Sequence, residues 1–248
     1  MNHNQPIDSE IAEGSEFLRL LQAQILEPCV ASTERFVAHD STASEQVKHL
    51  GTILSLLDRL SCCYWGCHKG DHLQEYLLGR ACTSTSAAWI LVRHGHYDAA
   101  LGIARDVGEI ANLLMLFSTD ANTFGQWRNS DDRARWNNFG PSKVRKALQQ
   151  LNVAIPVGEN IYSVLSKRAT HVTPNTRPEL HSNSDHPFAG GTFQEDGIRI
   201  CLAHIGFAIG KTALAATLLL RPAEQQAERI ATAASALIDS IDSGKAAK

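Results

Sequence analysis

YDAALGIARDVGEIANLLMLF, running from Tyr97 to Phe117, is the stretch whose reading decides the fold. Ile103, Val107, Ile110, Leu114 and Phe117 step by four and three residues, which puts them on one stripe of a helix. Asp98, Arg105, Glu109 and Asn112 cluster nearly opposite. Apolar residues border both sides, so this polar row is expected to face protein rather than open solvent. That makes it a clasp between helices or one wall of a site.

Working upstream, Gly95 ends a preceding helix that carries Leu73, Leu77, Ala88 and Leu91 on its inner side, with Asp71 as the expected N-cap. The few residues between Gly95 and Asp98 force a helical hairpin, so Tyr76 to Phe117 is the expected scaffold. Further upstream, Leu50, Ile53, Leu54, Leu57 and Leu60 mark a helix opened by a capping box at Thr42 and Glu45 and running to about Trp65. Phe17, Leu18, Leu21 and Ile25 give the first helix an apolar face, and Pro28 is expected to end or kink it before a segment from Cys29 to His39.

Downstream the pattern weakens between Ser118 and Gly140, with one short helix expected over Asp131 to Asn138. Gly140 and Pro141 then open PSKVRKALQQL, because proline suits the first helical position; Val144, Leu148 and Leu151 form its apolar side. Glu159 to His171 is the next helix, with Ile161 and Leu165 inward. Val172 to Glu195 holds three prolines and no helical or strand period, which predicts a long irregular loop. Two alanine-rich helices, Asp196 to Arg221 and Pro222 to Asp242, close the chain. No run alternates in the manner of a strand. The expected fold is all-α: one antiparallel helical bundle over residues 1–248, of about seven to eight helices, with one irregular excursion.

A net charge of -3 argues against a protein that coats nucleic acid generally, and moves the question to where the charges sit. The six cysteines are irregularly spaced, mostly on apolar helix faces, as for reduced thiols in a cytoplasmic chain. The N-terminal MNHNQPIDSEIAEGSE carries no signal pattern. Ile200 to Leu220 is apolar enough to suggest a membrane span, but Lys211 in its middle third would cost about 2.5–3.5 kcal/mol to insert, so a core helix is expected and no membrane.

Four groups of residues bear on chemistry. GFAIGKT, Gly206 to Thr212, ends like a phosphate-binding loop, yet three residues rather than four separate its glycines and no strand precedes it. Gly206 and Gly210 are therefore expected to admit a neighbouring helix, and no cofactor is expected. Cys63, Cys67, His68 and His72 have side chains of the zinc-binding kinds without a two-plus-two spacing, and the sequence leaves metal binding open. From Phe124 to Lys146, Arg128, Arg133, Arg135, Lys143, Arg145 and Lys146 oppose only Asp131 and Asp132, with Phe124, Trp127, Trp136 and Phe139 interleaved. Basic groups neutralise phosphate and aromatic faces stack on unpaired bases, so the segment suits single-stranded nucleic acid; equally, the aromatics could pin an irregular segment to the bundle. In YSVLSKRATHVTPN, a helix carrying Tyr162, Ser166, Lys167 and Arg168 ends at His171, where the helix dipole favours an imidazolium and a proton-transfer role beside phosphate is chemically workable. A helix C-cap or a satisfied core histidine is the alternative for that residue.

The hairpin LVRHGHYDAALGIARDVGEIANLLMLF and the later YSVLSKRATH together resemble bacterial helical proteins related to the HEPN superfamily (higher eukaryotes and prokaryotes nucleotide-binding). The matching residues are Arg105, Glu109, Tyr162, Ser166 and His171, within a span of roughly Arg80 to Asn175. Active HEPN ribonucleases place an arginine four to six residues before a histidine; here Lys167 and Arg168 precede His171 and do not supply it. The resemblance implies a divergent member that binds RNA or a nucleotide, in stress response or phage defence, rather than an efficient nuclease, and it implies a homodimer. On this expectation His171 is the catalytic candidate. Arg105, Glu109, Asn112, Tyr162, Ser166, Lys167, Arg168, Arg133, Arg135, Lys143 and Lys146 are the ligand-binding candidates. The competing expectation is a non-catalytic interaction module whose last helices dimerise.

Overall fold

A computed structural model describes residues 14–66, 72–170 and 191–246. Among these the chain is all-α, with no strand. Eleven α-helical segments form ten continuous rods, more than expected. Helix α1 (Ser15–Leu21) passes through a π turn (Gln22–Leu26) straight into α2 (Glu27–His39). Pro28 therefore does not end the helix. Its ring crowds the carbonyl four residues back and it offers no N–H, and the wider π turn before it takes up that mismatch. Phe17 and Leu18, expected to face inward, are exposed.

Helix α3 (Ser41–Ser61) is capped by Asp40, which accepts from the Ala43 N–H at 2.8 Å, and not by Thr42. It stops at Ser61, short of Trp65. Helix α4 (Leu73–Arg93) has His72 at its cap position, while Asp71, the expected cap, lies outside the described residues; it buries Glu75, Leu78, Ala81, Thr85, Ala88 and Val92. Of the expected inner residues Ala88 belongs to that row, and Leu77 and Leu91 are partly buried against the core beside it. The helix is apolar around much of its girth, so periodicity alone leaves its phase open. Gly95, at φ 78, turns the chain into α5 (Tyr97–Thr119).

The weak region folds into two helices, α6 (Ala121–Asn129) and α7 (Asp132–Phe139), each capped by an aspartate: Asp120 accepts from Asn122 N–H and Asp131 from Ala134 N–H. Helix α8 (Pro141–Gln150) starts on its proline as expected, though Leu151 lies exposed beyond its end. Helix α9 (Glu159–Leu165) continues through a second π turn, Ser166–Thr170. Helices α10 (Glu195–Leu220) and α11 (Glu224–Ala246) close the fold.

Helix α10 is the axis of the core, packed by α5, α11, α4 and α3. Among the described residues it alone is long and apolar enough to cross a membrane, yet more than half of its most apolar window is buried within the protein. Gly206 and Gly210 lie under α11: a Cβ at either would meet Leu237, Ile238 or Ile241 side-chain atoms at 3.0–3.3 Å, so the close approach expected of them occurs. Lys211 lies over the Phe207 ring, and buried Thr212 donates to the Ala208 and Val107 carbonyls, which leaves no phosphate loop. One continuous apolar core links α3, α4, α5, α9, α10 and α11. A smaller one beneath α8 joins Leu116, Val144 and Leu148.

Candidate functional site

The polar row of α5 faces protein, as its apolar borders imply. Asn112 is buried and spends both ends of its amide on one residue: Nδ2 donates to the Val157 carbonyl at 3.0 Å and Oδ1 accepts the Val157 N–H at 2.9 Å. Gly108, one turn earlier, leaves room for the Val157 side chain, which would stand 3.2 Å from a Cβ there. These two residues seat the loop from which α9 rises. Asn112 is thus a backbone clamp and not a group turned toward a ligand.

From that seat α9 delivers Tyr162, and the π turn delivers Ser166, onto Arg105. Arg105 Nε donates to Ser166 Oγ at 3.1 Å. Its Nη2 donates to the Tyr162 hydroxyl and stands 2.9 Å from Glu109 Oε1, while Nη1 reaches Asp106 at 3.5 Å. The Tyr162 hydroxyl in turn donates to Glu109 Oε1 at 3.1 Å. The side chains of Arg105 and Glu109 are only 18 % and 27 % exposed, which makes this a half-buried network rather than a surface pair. Burial raises the Glu109 carboxyl above its usual range, against the pull of Arg105 and the Tyr162 hydrogen bond. Burial likewise raises the Tyr162 phenol.

Arg145 of α8 completes the group, and the sequence reading had placed it only among the surface basic residues. Its guanidinium lies 4.2 Å from the Tyr162 ring centroid, and that of Arg105 lies 4.6 Å from it. Arg145 pairs with Glu159 at the start of α9. Its Nη1 is buried with no hydrogen-bond partner among the described residues. The signal for Arg145 was present in its position beside Val144 and Leu148 on the inner stripe of α8. Two guanidiniums face three carboxylates, those of Glu109, Glu159 and Asp106, which leaves a formal excess of one negative charge, and among the described residues Arg145 Nη1 is a donor still open.

Of the remaining candidates on this helix, Lys167 is exposed and Arg168 half-buried on the π turn. His171 lies outside the described residues, as do Cys67 and His68.

The basic aromatic segment divides in two. Phe124 and Trp127 pack on Phe117 with ring centroids 5.4 and 5.5 Å away, which fastens α6 to α5. Arg135 is occupied inside the segment: Nε donates to the Trp127 carbonyl at 3.4 Å, Nη2 donates to the Ser130 carbonyl, and Nη1 pairs with Asp132 at 2.8 Å. It caps α6 and is not a free cation. Trp136, by contrast, is 75 % exposed, and Arg133, Lys143 and Lys146 are exposed with it. Trp136 and Lys143 line a hollow of about 340 Å³ with Asn137, Gly140, Pro141 and Ser142. Lys143 and Lys146, three residues apart on α8, share its outer side. An aromatic face beside fixed cations can take a base and its phosphate.

A third cluster forms where α3 gives way to α4. Cys63 and His72 come together there, joined by Glu75, which the sequence reading had not singled out.

Compared with family models, curated proteins and solved structures, the chain matches none.

Proposed function

We propose that this chain is a HEPN-like helical protein of the cytoplasm that binds single-stranded RNA on the face formed by α7 and α8. The observation that carries the reading is Trp136, an indole left in water beside Lys143 in a chain whose other segment aromatics, Phe124, Trp127 and Phe139, pack against apolar neighbours. A solvated indole flanked by cations is a stacking platform for an unpaired base, with Arg133, Lys143 and Lys146 taking the phosphates. Arg105, Glu109, Tyr162 and Ser166, the residues on which the HEPN likeness rests, meet at one place. Their role in this reading is to hold α9 and its π turn, with Lys167 and Arg168, at the edge of the RNA path. Stress response or phage defence is the setting that the likeness favours.

The test is fluorescence anisotropy of a short labelled single-stranded RNA across a salt series. Wild-type affinity should fall steeply as salt rises, and Trp136→Ala with Lys143→Glu should abolish binding. Equal affinity in that double variant would end the proposal.

A second reading is a homodimeric interaction module built on the last helices. The hollow of about 470 Å³ between α3 and α11, lined by His49, Thr52, Leu56, Arg229, Thr232 and Ala236 among others, favours it. Sedimentation of wild type and Thr232→Arg decides this: a dimer that dissociates in the variant supports it, and a monomeric wild type removes it.

A further inference from the structure

The connection between α3 and α4 brings its two ends together. Cys63 follows the C-cap of α3, and His72 occupies the cap position of α4. Cys63 Sγ and His72 Nδ1 stand 3.5 Å apart. Glu75, in the first turn of α4, places Oε1 4.0 Å from that sulfur and 3.6 Å from that nitrogen. The same three atoms define all three separations, so they form one triangle of a thiol, an imidazole and a carboxylate.

The two separations from Sγ are those of weak thiol hydrogen bonds, the Nδ1 to Oε1 separation is longer than one, and the three atoms together are spaced as ligands around an ion. A direct N–H···O bond spans about 2.7–3.2 Å, well short of the Nδ1 to Oε1 distance. Tetrahedral zinc, with bonds of about 2.3 Å to sulfur and 2.0–2.2 Å to nitrogen and oxygen, separates its ligand atoms by roughly 3.3–3.6 Å. One point lies about 2.1 Å from all three atoms of the triangle, within a few tenths of an ångström of those bond lengths.

The Glu75 carboxylate gives an independent reason. Its side chain is 4 % exposed, and among the described residues its one basic neighbour is the His72 imidazole at 3.6 Å, with no lysine or arginine paired to it. A carboxylate taken out of water needs a positive charge close by. A divalent cation at the centre of the triangle supplies it.

We propose that Cys63, His72 and Glu75 bind a divalent cation of the zinc class. A thiolate with an imidazole disfavours magnesium and calcium, which take oxygen ligands. On binding, the Cys63 thiol gives its proton to solvent, and thiolate plus carboxylate neutralise the ion. The fourth coordination position is left to water. The ion fastens the end of α3 to the start of α4, which fixes the hairpin on which α5 and α10 pack.

The test uses the full chain, stripped with a chelator, dialysed against micromolar zinc and assayed by elemental analysis. About one zinc per chain should be retained, and Cys63→Ser and Glu75→Gln should each weaken binding roughly tenfold or more. Cys62→Ser is the control, because the Cys62 thiol turns away to the Arg59 carbonyl, and it should bind as wild type. Cobalt in place of zinc gives a readout independent of stability: a thiolate-to-cobalt absorption band in wild type and Cys62→Ser, absent in Cys63→Ser. Far-ultraviolet circular dichroism identifies the variants that remain folded. No metal retained by folded wild type, or undiminished binding in folded Cys63→Ser, would overturn the proposal.

Discussion

The Tyr162 hydroxyl on α9 donates to Glu109 on α5 across 3.1 Å while accepting from Arg105, one turn before that glutamate on the same helix. One phenol therefore joins both members of an i to i+4 ion pair to a separate helix. An exposed pair of this kind would be worth only a few tenths of a kcal/mol. Fixed by a third group and partly withdrawn from water, it becomes a tertiary contact.

Tyr162→Phe removes the hydroxyl and leaves both partners short of one hydrogen bond. The expected loss is about 1–2 kcal/mol, since the group is only partly buried. A urea-denaturation midpoint measures it. RNA affinity at low salt should change less than about twofold, because the network is placed here as scaffold. A folded variant of full stability that no longer binds RNA would move the ligand contact to Tyr162.

Trp136→Ala should do the reverse. An indole so exposed contributes little to the core, so stability should stay within about 0.5 kcal/mol of wild type. Loss of one stacked base costs about 1–3 kcal/mol, or roughly fivefold to more than a hundredfold in affinity. Lys146→Gln should weaken binding to all sequences alike and reduce the salt slope by about one. Unchanged stability with unchanged affinity in the tryptophan variant would remove α7 from the interface.

Asn112→Ala tests the clamp beneath α9. It strands a buried N–H and a buried carbonyl on Val157, at a cost of about 2–4 kcal/mol. Thermal unfolding should shift down by roughly 5–12 °C for a chain of this size. A shift of a degree or less would mean that the loop before α9 is held by something else.

Asp40 predicts the response to acid. Its carboxylate accepts from the Ala43 N–H and from Arg199 of α10, the latter at 2.9 Å. Those contacts, the Ala43 hydrogen bond first, hold its pKa below the usual carboxylate value against the opposing effect of burial. A depressed native pKa means that the unfolded chain binds the proton more readily. The stabilisation is thus complete above the ordinary value of about 3.9 and is lost as pH falls through it toward the lower native value. Asp40→Ala should cost about 1–2 kcal/mol at neutral pH, and its stability should fall less than wild type's between pH 5 and 2. Parallel stability curves for the two proteins would contradict this assignment.

Where one periodic face met one buried face, the sequence was a sound guide. The stripe of α5 and its opposing polar row both lie where their spacing puts them, except that Ile103 is only partly buried. Gly206 and Gly210 were legible for the same reason, since small residues a turn apart make a groove. What escaped were features set by two segments at once. Helix α6 has little apolar period of its own and is held by Phe117 of another helix. Arg145 looked like one more surface cation until Tyr162 and Glu159 arrived beside it. Glu75 looked like an acidic residue in the first turn of a helix, and only the fold brings the Cys63 thiol to it. The expected inner face of α1 failed differently: its apolar spacing is real, but Phe17 and Leu18 stand exposed.

The enclosure of α10 also sets an order of events during synthesis. Buried hydrogen bonds tie it to α5 across 104 and 105 residues, from Cys201 to the Tyr97 carbonyl and from Thr212 to the Val107 carbonyl. A ribosome adding about 5–20 residues per second therefore leaves the finished α4 to α5 hairpin waiting roughly 5–20 s for its central partner. Through that interval the apolar flank of α5 is a binding surface for whatever apolar segment comes first. Contacts so distant along the chain also slow folding, which lengthens the time that this flank stays open to aggregation.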